Sequence, residues 1–110
     1  MKGFQLTFIT QQNKQHAGKP VAEWLLQEAR QLGIQGATVL AASEGYGRHG
    51  QLHAARFIEL ADQPVEIVLA VTLDEAERLF ASLAAQRLDL FYIKTPIEFG
   101  WCSERSANRT

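Results

Sequence analysis

The chain has 110 residues, of which 46% are hydrophobic and 21% charged, as expected for one ordinary globular domain. Its formal net charge of −1 excludes the strong positive field typical of proteins that bind nucleic acids or anionic membranes. The single cysteine cannot form an intramolecular disulfide, and no apolar run approaches the roughly 20 residues that span a bilayer. No signal peptide is recognisable, so we expect a cytoplasmic protein.

The first third of the chain predicts a strand, a loop and a helix. Apolar residues alternate with polar ones from Lys2 to Thr10, which is the period of a strand. The polar segment from Gln11 to Lys19 predicts a loop. Pro20 suits the first position of a helix and Gly33 can end one, so we predict a helix from Pro20 to Leu32.

The middle of the chain predicts extended structure on both sides of a polar, glycine-rich segment. A second strand is predicted from Ile34 to Ala42, and a weaker one from Ala55 to Leu60. The composition of Ala61–Pro64 predicts a turn. Val65 to Val71 is rich in β-branched residues and is the strongest strand prediction in the chain.

A capping box predicts where the second helix begins. Thr72 can accept from the backbone N–H of Glu75, whose carboxylate can reach back to the N–H of Thr72. After this helix, Leu90 to Lys94 predicts a last strand that Pro96 limits. The polar residues at the end, 101–110, are expected to form a tail, disordered from Ser103 onwards.

Without the weaker strand at Ala55–Leu60, these elements predict an α+β fold of the ferredoxin-like βαββαβ type, with a four-stranded antiparallel sheet. Two helices cover one face of such a sheet, yet several strands are apolar on both faces. The segment 37–42 is an example, because Val39 and Leu40 point to opposite sides. A second cover is therefore needed, and association of several copies through their sheets is the simplest source of it.

The segment from Glu44 to Ala54 concentrates the polar chemistry of the chain. It contains three of the eight glycines and two of the three histidines. Flexible glycines let backbone N–H groups approach an anion, although the same composition is typical of a flexible hairpin connection. The candidate ligand-binding residues here are Glu44, Gly45, Tyr46, Gly47, Arg48, His49 and His53.

Three further residues are candidates for the same ligand. His16 and Lys19 precede a predicted helix N-terminus, where they could contact a phosphate or could simply lie in an exposed loop. Arg56 could hold an anion through two hydrogen bonds or could be a solvated arginine at a strand edge. His49 and His53 are four residues apart without a nearby third ligand, so we expect no metal site.

Several sequence blocks in combination suggest a family. They are His16, Gly18-Lys19-Pro20, Gly33-Ile34-Gln35-Gly36-Ala37-Thr38-Val39-Leu40, Glu44-Gly45-Tyr46-Gly47 and Leu52-His53-Ala54-Ala55-Arg56. From about Phe4 to about Ile97 the chain resembles the PII-like family catalogued as domain of unknown function 190. The resemblance implies one PII-like domain over residues 1–100, followed by the tail.

The resemblance also implies a function. PII signalling proteins are ferredoxin-like homotrimers that bind adenine nucleotides between subunits and contact partner proteins through the loop after the second strand. In this chain that loop would be Glu44–Ala54. The Gly-Asp-Gly-Lys stretch with which PII proteins contact phosphates has no counterpart after the second helix, so the identity of the ligand stays open.

Two classes of function remain. The first is a non-enzymatic, homotrimeric signalling protein that binds a small anionic metabolite or nucleotide and changes its loop for a partner protein. The second is a small enzyme or metal-binding protein on the same scaffold, because this fold hosts many chemistries. No nucleophile with a readable base partner is present, since Ser43 and Cys102 have no such neighbours in the sequence, so we expect no catalytic residues.

Overall fold

A computed structural model describes residues 1–41, 44–46, 52–54 and 63–103 of the chain. Two predictions fall outside these residues and stay predictions: the strand over Ala55–Leu60 and the disordered end of the tail beyond Ser103. In chain order the elements are β1 (Lys2–Gln11), β2 (Gln15–His16), β3 (Lys19–Pro20), α1 (Val21–Gln31), β4 (Gly36–Ala41), β5 (Glu44–Tyr46), β6 (Leu52–Ala54), β7 (Pro64–Thr72), α2 (Leu73–Ala85) and β8 (Phe91–Glu98).

Four of the strands form an antiparallel sheet in the order β4-β7-β1-β8. In its centre Leu6 pairs with Leu69 of β7 and with Lys94 of β8. The predicted α+β architecture, with a four-stranded antiparallel sheet and two helices, is therefore confirmed. The remaining short strands form two separate ladders, β2 with β3 and β5 with β6.

The hydrophobic core lies between the sheet and the two helices. Alternate residues of β1 and β7, such as Leu6, Phe8 and Ile67, are fully buried there. Leu25 of α1 and Leu79 of α2 pack into the same cluster. Because each strand has a period of two, the residues between these buried ones must point to the opposite face of the sheet.

The opposite face has no helix over it in the part of the chain that the structure describes. We call it the open face. Its central residue, Thr7, is only 8% exposed because it lies between Val68 and Ile93 of the neighbouring strands. The outer strands are uncovered: Leu40 and Ile93 are each 48% exposed, and Phe91 is 59% exposed. The two-faced apolar strands seen in the sequence thus leave a solvent-facing apolar surface on one chain.

The last strand is longer than predicted because Pro96 does not end it. β8 continues to Glu98, and Pro96 pairs with Phe4 of β1. β8 lies at the edge of the sheet, where a residue without an N–H can face away from the ladder. The prediction that Pro96 limits the strand was wrong for this reason.

Smaller differences occur at the ends of other elements. Pro20 is the residue before α1 rather than its first residue, with ψ of 141°. The N–H of Val21, which then begins the helix, donates to the carbonyl oxygen of Lys14 at 2.9 Å. β4 begins at Gly36 rather than Ile34, and Pro64 belongs to β7 rather than to a turn.

The capping box of α2 is confirmed. The N–H of Glu75 donates to the Thr72 hydroxyl at 3.2 Å, and Oε1 of Glu75 accepts from the N–H of Thr72 at 2.9 Å. We expect Thr72→Ala to lower the free energy of unfolding by about 1 kcal/mol. Glu75→Ala should cost less, and the double variant should lose less than the sum, because both residues belong to one box. Urea denaturation of the four proteins measures this, and additive losses would contradict it.

Both helices end in the same way, but with different residues in the left-handed conformation. After α1, Gly33 has φ of 82°, and after α2, Arg87 has φ of 56°. The following N–H groups return to the helix, from Ile34 to the carbonyl of Ala29 and from Leu88 to that of Leu83. Each end is therefore a Schellman motif, in which glycine is the least strained residue.

The two motifs predict that substitutions at Gly33 and Arg87 change the free energy of unfolding in opposite directions. Gly33→Ala should lower the free energy of unfolding by about 1 kcal/mol, because it places a Cβ in the left-handed region. Arg87→Gly should raise it by roughly 0.5 kcal/mol, the relief of strain being partly offset by a more flexible unfolded chain. The urea midpoints of the two variants, compared at one protein concentration, test this. A loss of stability in both would show that the Arg87 side chain contributes more than its backbone strain costs.

Candidate functional site

The connection between β1 and α1, which contains the candidates His16 and Lys19, starts beside Gln63. Gln11, the last residue of β1, pairs with Pro64 of β7. One residue later, the N–H of Gln12 donates to the carbonyl oxygen of Gln63 at 2.9 Å. The connection between β1 and α1 therefore starts next to the point where the chain returns from residues 42–62.

This connection is a small hairpin rather than the predicted irregular loop. Gln15 pairs with Pro20 and His16 pairs with Lys19. The two residues of the turn, Ala17 and Gly18, both have positive φ, of 54° and 81°. A two-residue turn of this hand matches the twist of antiparallel strands, which explains how such a short ladder forms. The hairpin sets His16 and Lys19 directly opposite each other.

His16 is held by one residue from each helical region. Its Nε2 donates to Oε1 of Gln86, just beyond the end of α2, at 2.9 Å. Its ring stands edge-on to the indole of Trp24 in α1, with the centroids 5.0 Å apart and the planes at 84°. Lys19 is held in a similar manner, because its Nζ donates to Oε1 of Gln27 in α1 at 2.6 Å. Both candidate side chains are thus half-buried and positioned, not free in an exposed loop.

The segment predicted as one loop, Glu44–Ala54, contains a ladder. Glu44–Tyr46 pairs with Leu52–Ala54, so that Gly45 lies opposite His53. The hairpin reading of this segment is therefore correct for its ends. Gly47, Arg48, His49 and Arg56 lie outside the described residues, so their part in a site stays a prediction.

A shallow groove lies next to the hairpin, between α1 and the outer strand β4. Its volume is about 300 Å³. Its walls are mainly apolar, with two amides and one carboxylate at the rim, and they are formed by Gln11, Gln12, Pro20, Ala22, Glu23, Leu26 and Val39. Such a surface can accept a flat, largely apolar group with a few hydrogen-bonding atoms.

Three residues around the hairpin were not predicted as part of a site. Trp24 was interpreted as a core residue from its helical spacing, and Gln27 had no distinguishing signal. The sequence pairs neither of them with His16 or Lys19, although all four lie within twelve residues. Gln86 is 70 residues away from His16, so no local pattern could have found it.

Two further observations bear on the class of protein. Among the described residues, no group of three or more histidine, cysteine, aspartate or glutamate side chains is placed to hold a metal ion. Neither of the helices within the described ranges is long and apolar enough to cross a membrane.

Residues 3–92 match the DUF190 family, described as uncharacterized ACR. The chain belongs to DUF190. A UPF0166 protein of Aquifex aeolicus (strain VF5) is 30% identical over 74 residues, which are 67% of this chain and 69% of that relative. The resemblance seen in the sequence is therefore confirmed at the level of the family.

Solved structures show that this DUF190 protein has a PII-like fold. CPII from Thiomonas intermedia K12, a nitrogen regulatory PII-like protein bound to ADP, AMP and bicarbonate, is similar with a TM-score of 0.66 and 21% identity, over 92% of this chain and 91% of CPII. TTHA0516 from Thermus thermophilus, assigned to the PII-like signaling proteins, has a TM-score of 0.62 and 14% identity, over 96% of this chain and 94% of TTHA0516.

Proposed function

We propose that this DUF190 protein is a non-enzymatic, PII-like signalling protein. Three copies form a homotrimer through their open faces, and a small anionic metabolite or nucleotide binds in the clefts between them. The segment 44–54 acts as a switch that a partner protein recognises.

The open face is the observation that carries the proposal. Four strands present apolar side chains to solvent there, and a monomer gains nothing from leaving them uncovered. Burial of apolar surface is worth about 25 cal/mol per Å², so a second layer made of identical sheets stabilises the protein without any new element. A closed ring of three sheets would also cover the outer strands β4 and β8, whose edges are otherwise unpaired within the described residues.

The hairpin supports an anionic ligand. His16 and Lys19 direct N–H donors toward oxygen atoms of residues from both helical regions. The similar protein CPII binds ADP, AMP and bicarbonate, all of which are anions. Glu44, Gly45, Tyr46, Gly47, Arg48, His49, His53 and Arg56 are proposed to complete the site from the loop segment.

Ligand binding is tested by thermal shift with ADP, AMP, bicarbonate and a panel of divalent cations. A ligand that binds only the folded state at 100 times its Kd raises its stability by about 2.7 kcal/mol. We expect one of the anions to do so and to slow hydrogen exchange over residues 44–54. Arg56→Ala should reduce both effects, whereas Arg30→Ala, in the last turn of α1, should not.

Other results would favour the second class of function. Consumption of the ligand during the assay would indicate an enzyme. A shift caused by one divalent cation alone would indicate a metal-binding protein. Protection that appears elsewhere, with exchange over residues 44–54 unchanged, would mean that the segment contacts a partner but not the ligand.

A further inference from the structure

Two glutamine side chains occupy the donors of the hairpin. Oε1 of Gln86 lies 2.9 Å from Nε2 of His16, and Oε1 of Gln27 lies 2.6 Å from Nζ of Lys19. Gln86 and Gln27 come from different helical regions, yet each places a carboxamide oxygen at the donor of one of two residues that pair in the hairpin ladder. The two oxygens therefore mark positions that an oxygen atom of a ligand could occupy.

We propose that Gln27 and Gln86 compete with an oxyanion ligand for the hydrogen-bond donors of His16 and Lys19. In the free protein the two amides satisfy the donors, and the anion must displace them to bind. This inference rests on the proposed function and adds to it a means by which the affinity for the ligand is set. The anion is either the phosphate group of a nucleotide or a small free oxyanion such as bicarbonate.

The chemistry of the two contacts makes such an exchange feasible. A carboxamide is a neutral acceptor, and a hydrogen bond from a charged or polar donor to an anionic oxygen is roughly twice as strong. Gln27 and Gln86 are both exposed on the surface, so they can turn into water when they are displaced. A glutamate at either position would instead form a lasting ion pair with the donor.

The hairpin residues that donate to the anion are already held in place in the free protein. The indole of Trp24 stands edge-on to the His16 ring, which restricts the direction of Nε2. Because Lys19 is paired with His16 in the ladder, the backbones of the two residues keep one relative position when the amides leave. Preorganised donors lose little entropy on binding a ligand.

The backbone next to the His16–Gln86 contact is strained on both sides. Among the described residues, only Ala17 and Arg87 have positive φ without being glycine. They directly follow His16 and Gln86 in the chain. A non-glycine residue in this region is destabilised by about 1–2 kcal/mol, and such strain is typical of functional positions.

Substitutions of the two glutamines test the inference. Leucine and glutamate at these positions should change the affinity for the anion in opposite directions. Gln86→Leu and Gln27→Leu remove the competing oxygen, and each should tighten binding about two- to tenfold, the worth of one exchanged hydrogen bond. Gln86→Glu and Gln27→Glu add a competing carboxylate and should weaken binding by at least as much. All four substitutions replace an exposed residue, so the fold should be retained.

The affinity is measured by isothermal titration with two probes, ADP and bicarbonate. If the site binds a phosphate group, the substitutions change the Kd for ADP, and if it binds a small free oxyanion, they change the Kd for bicarbonate. Gln31→Leu and Gln31→Glu are the matched controls, because Gln31 lies one turn beyond Gln27 on α1 and is exposed. They reproduce the change of polarity and charge away from the hairpin and should leave both Kd values unchanged.

The results separate this inference from the proposed function. Opposite shifts for the leucine and glutamate variants, with unchanged controls, support the competition. If the wild type binds a probe but neither glutamine position alters its Kd, the competition is overturned and the proposed function stands. The same holds if leucine and glutamate weaken binding alike. If no variant binds either probe, the proposed anion site is overturned together with the competition.

Discussion

Ile93→Lys should convert the proposed trimer into monomers. Ile93 lies in β8 on the open face, opposite Thr7 at the centre of the sheet. On a single chain its side chain is 48% exposed, so a lysine there costs little. In the proposed trimer three such ammonium groups would be buried near one another, and the penalty for each unpaired ion is several kcal/mol. The assembly should therefore be lost while the fold of each chain persists.

Light scattering at micromolar concentration measures this effect. The wild type should have about three times the chain mass of 12.3 kDa, and the variant about that mass itself. Leu73→Lys is the matched control, since Leu73 is 54% exposed but lies at the start of α2, away from the open face. It should remain trimeric. A wild type that is monomeric, or an Ile93→Lys protein that is still trimeric, would contradict assembly through the open face.

Gly3→Ala should cause a large loss of stability, although it adds only one methyl group. A Cβ on Gly3 would lie 2.0 Å from the carbonyl oxygen of Val71 and 3.0 Å from a ring carbon of Phe99. The Val71 oxygen cannot yield easily, because it belongs to the backbone of a residue buried in β7. Overpacking typically costs 1–3 kcal/mol, and we expect the upper end of this range, about 3 kcal/mol.

Gly3→Ala should also affect the pairing of the N-terminal residue Met1 with Phe99. Just before Gly3, the N-terminal ammonium of Met1 donates to the carbonyl oxygen of Phe99 at 2.8 Å, and the N–H of Phe99 donates to that of Met1 at 2.9 Å. A shift of Gly3 should loosen this pairing. Urea denaturation gives the change in stability, and protection of the Phe99 amide reports the local change.

Gly100→Ala is the control for this prediction. A Cβ on Gly100 would meet no atom within 4 Å, although the residue directly follows Phe99. Its free energy of unfolding should stay within about 0.5 kcal/mol of the wild type, as is usual for surface substitutions. Equal losses in Gly3→Ala and Gly100→Ala would show that the close approach at Gly3 is not the cause.

Much of the fold could be predicted from the sequence because its signals are local. The alternation in β1, the stripe of α1 and the capping box of α2 each involve residues within a few positions of one another. The positions that sequence reasoning missed depend on a partner elsewhere in the chain. Pro96 can remain in β8 only because that strand lies at the edge of the sheet, which its own neighbours do not reveal.

The residues of the candidate site also separate into those that local sequence signals identified and those that only the structure revealed. The sequence identified His16 and Lys19 as anion-binding candidates from their residue types before a helix, and it identified the glycine-rich segment after β4. It could not place Gln86 beside His16, because that contact requires α2 to end next to the hairpin. Nor could it distinguish side chains in an exposed loop from side chains held by the two helices.

By itself the sequence determined the types and order of the main elements, the family resemblance and the apolar character of both faces of several strands. These follow from periodicity and from local hydrogen bonding, which act over a few residues. The tertiary structure alone decided the strand order, the open face around Thr7, the close approach at Gly3 and the contacts of His16. Such features depend on how distant segments pack, and a pattern of neighbouring residues has no information about which distant atom will occupy a given space.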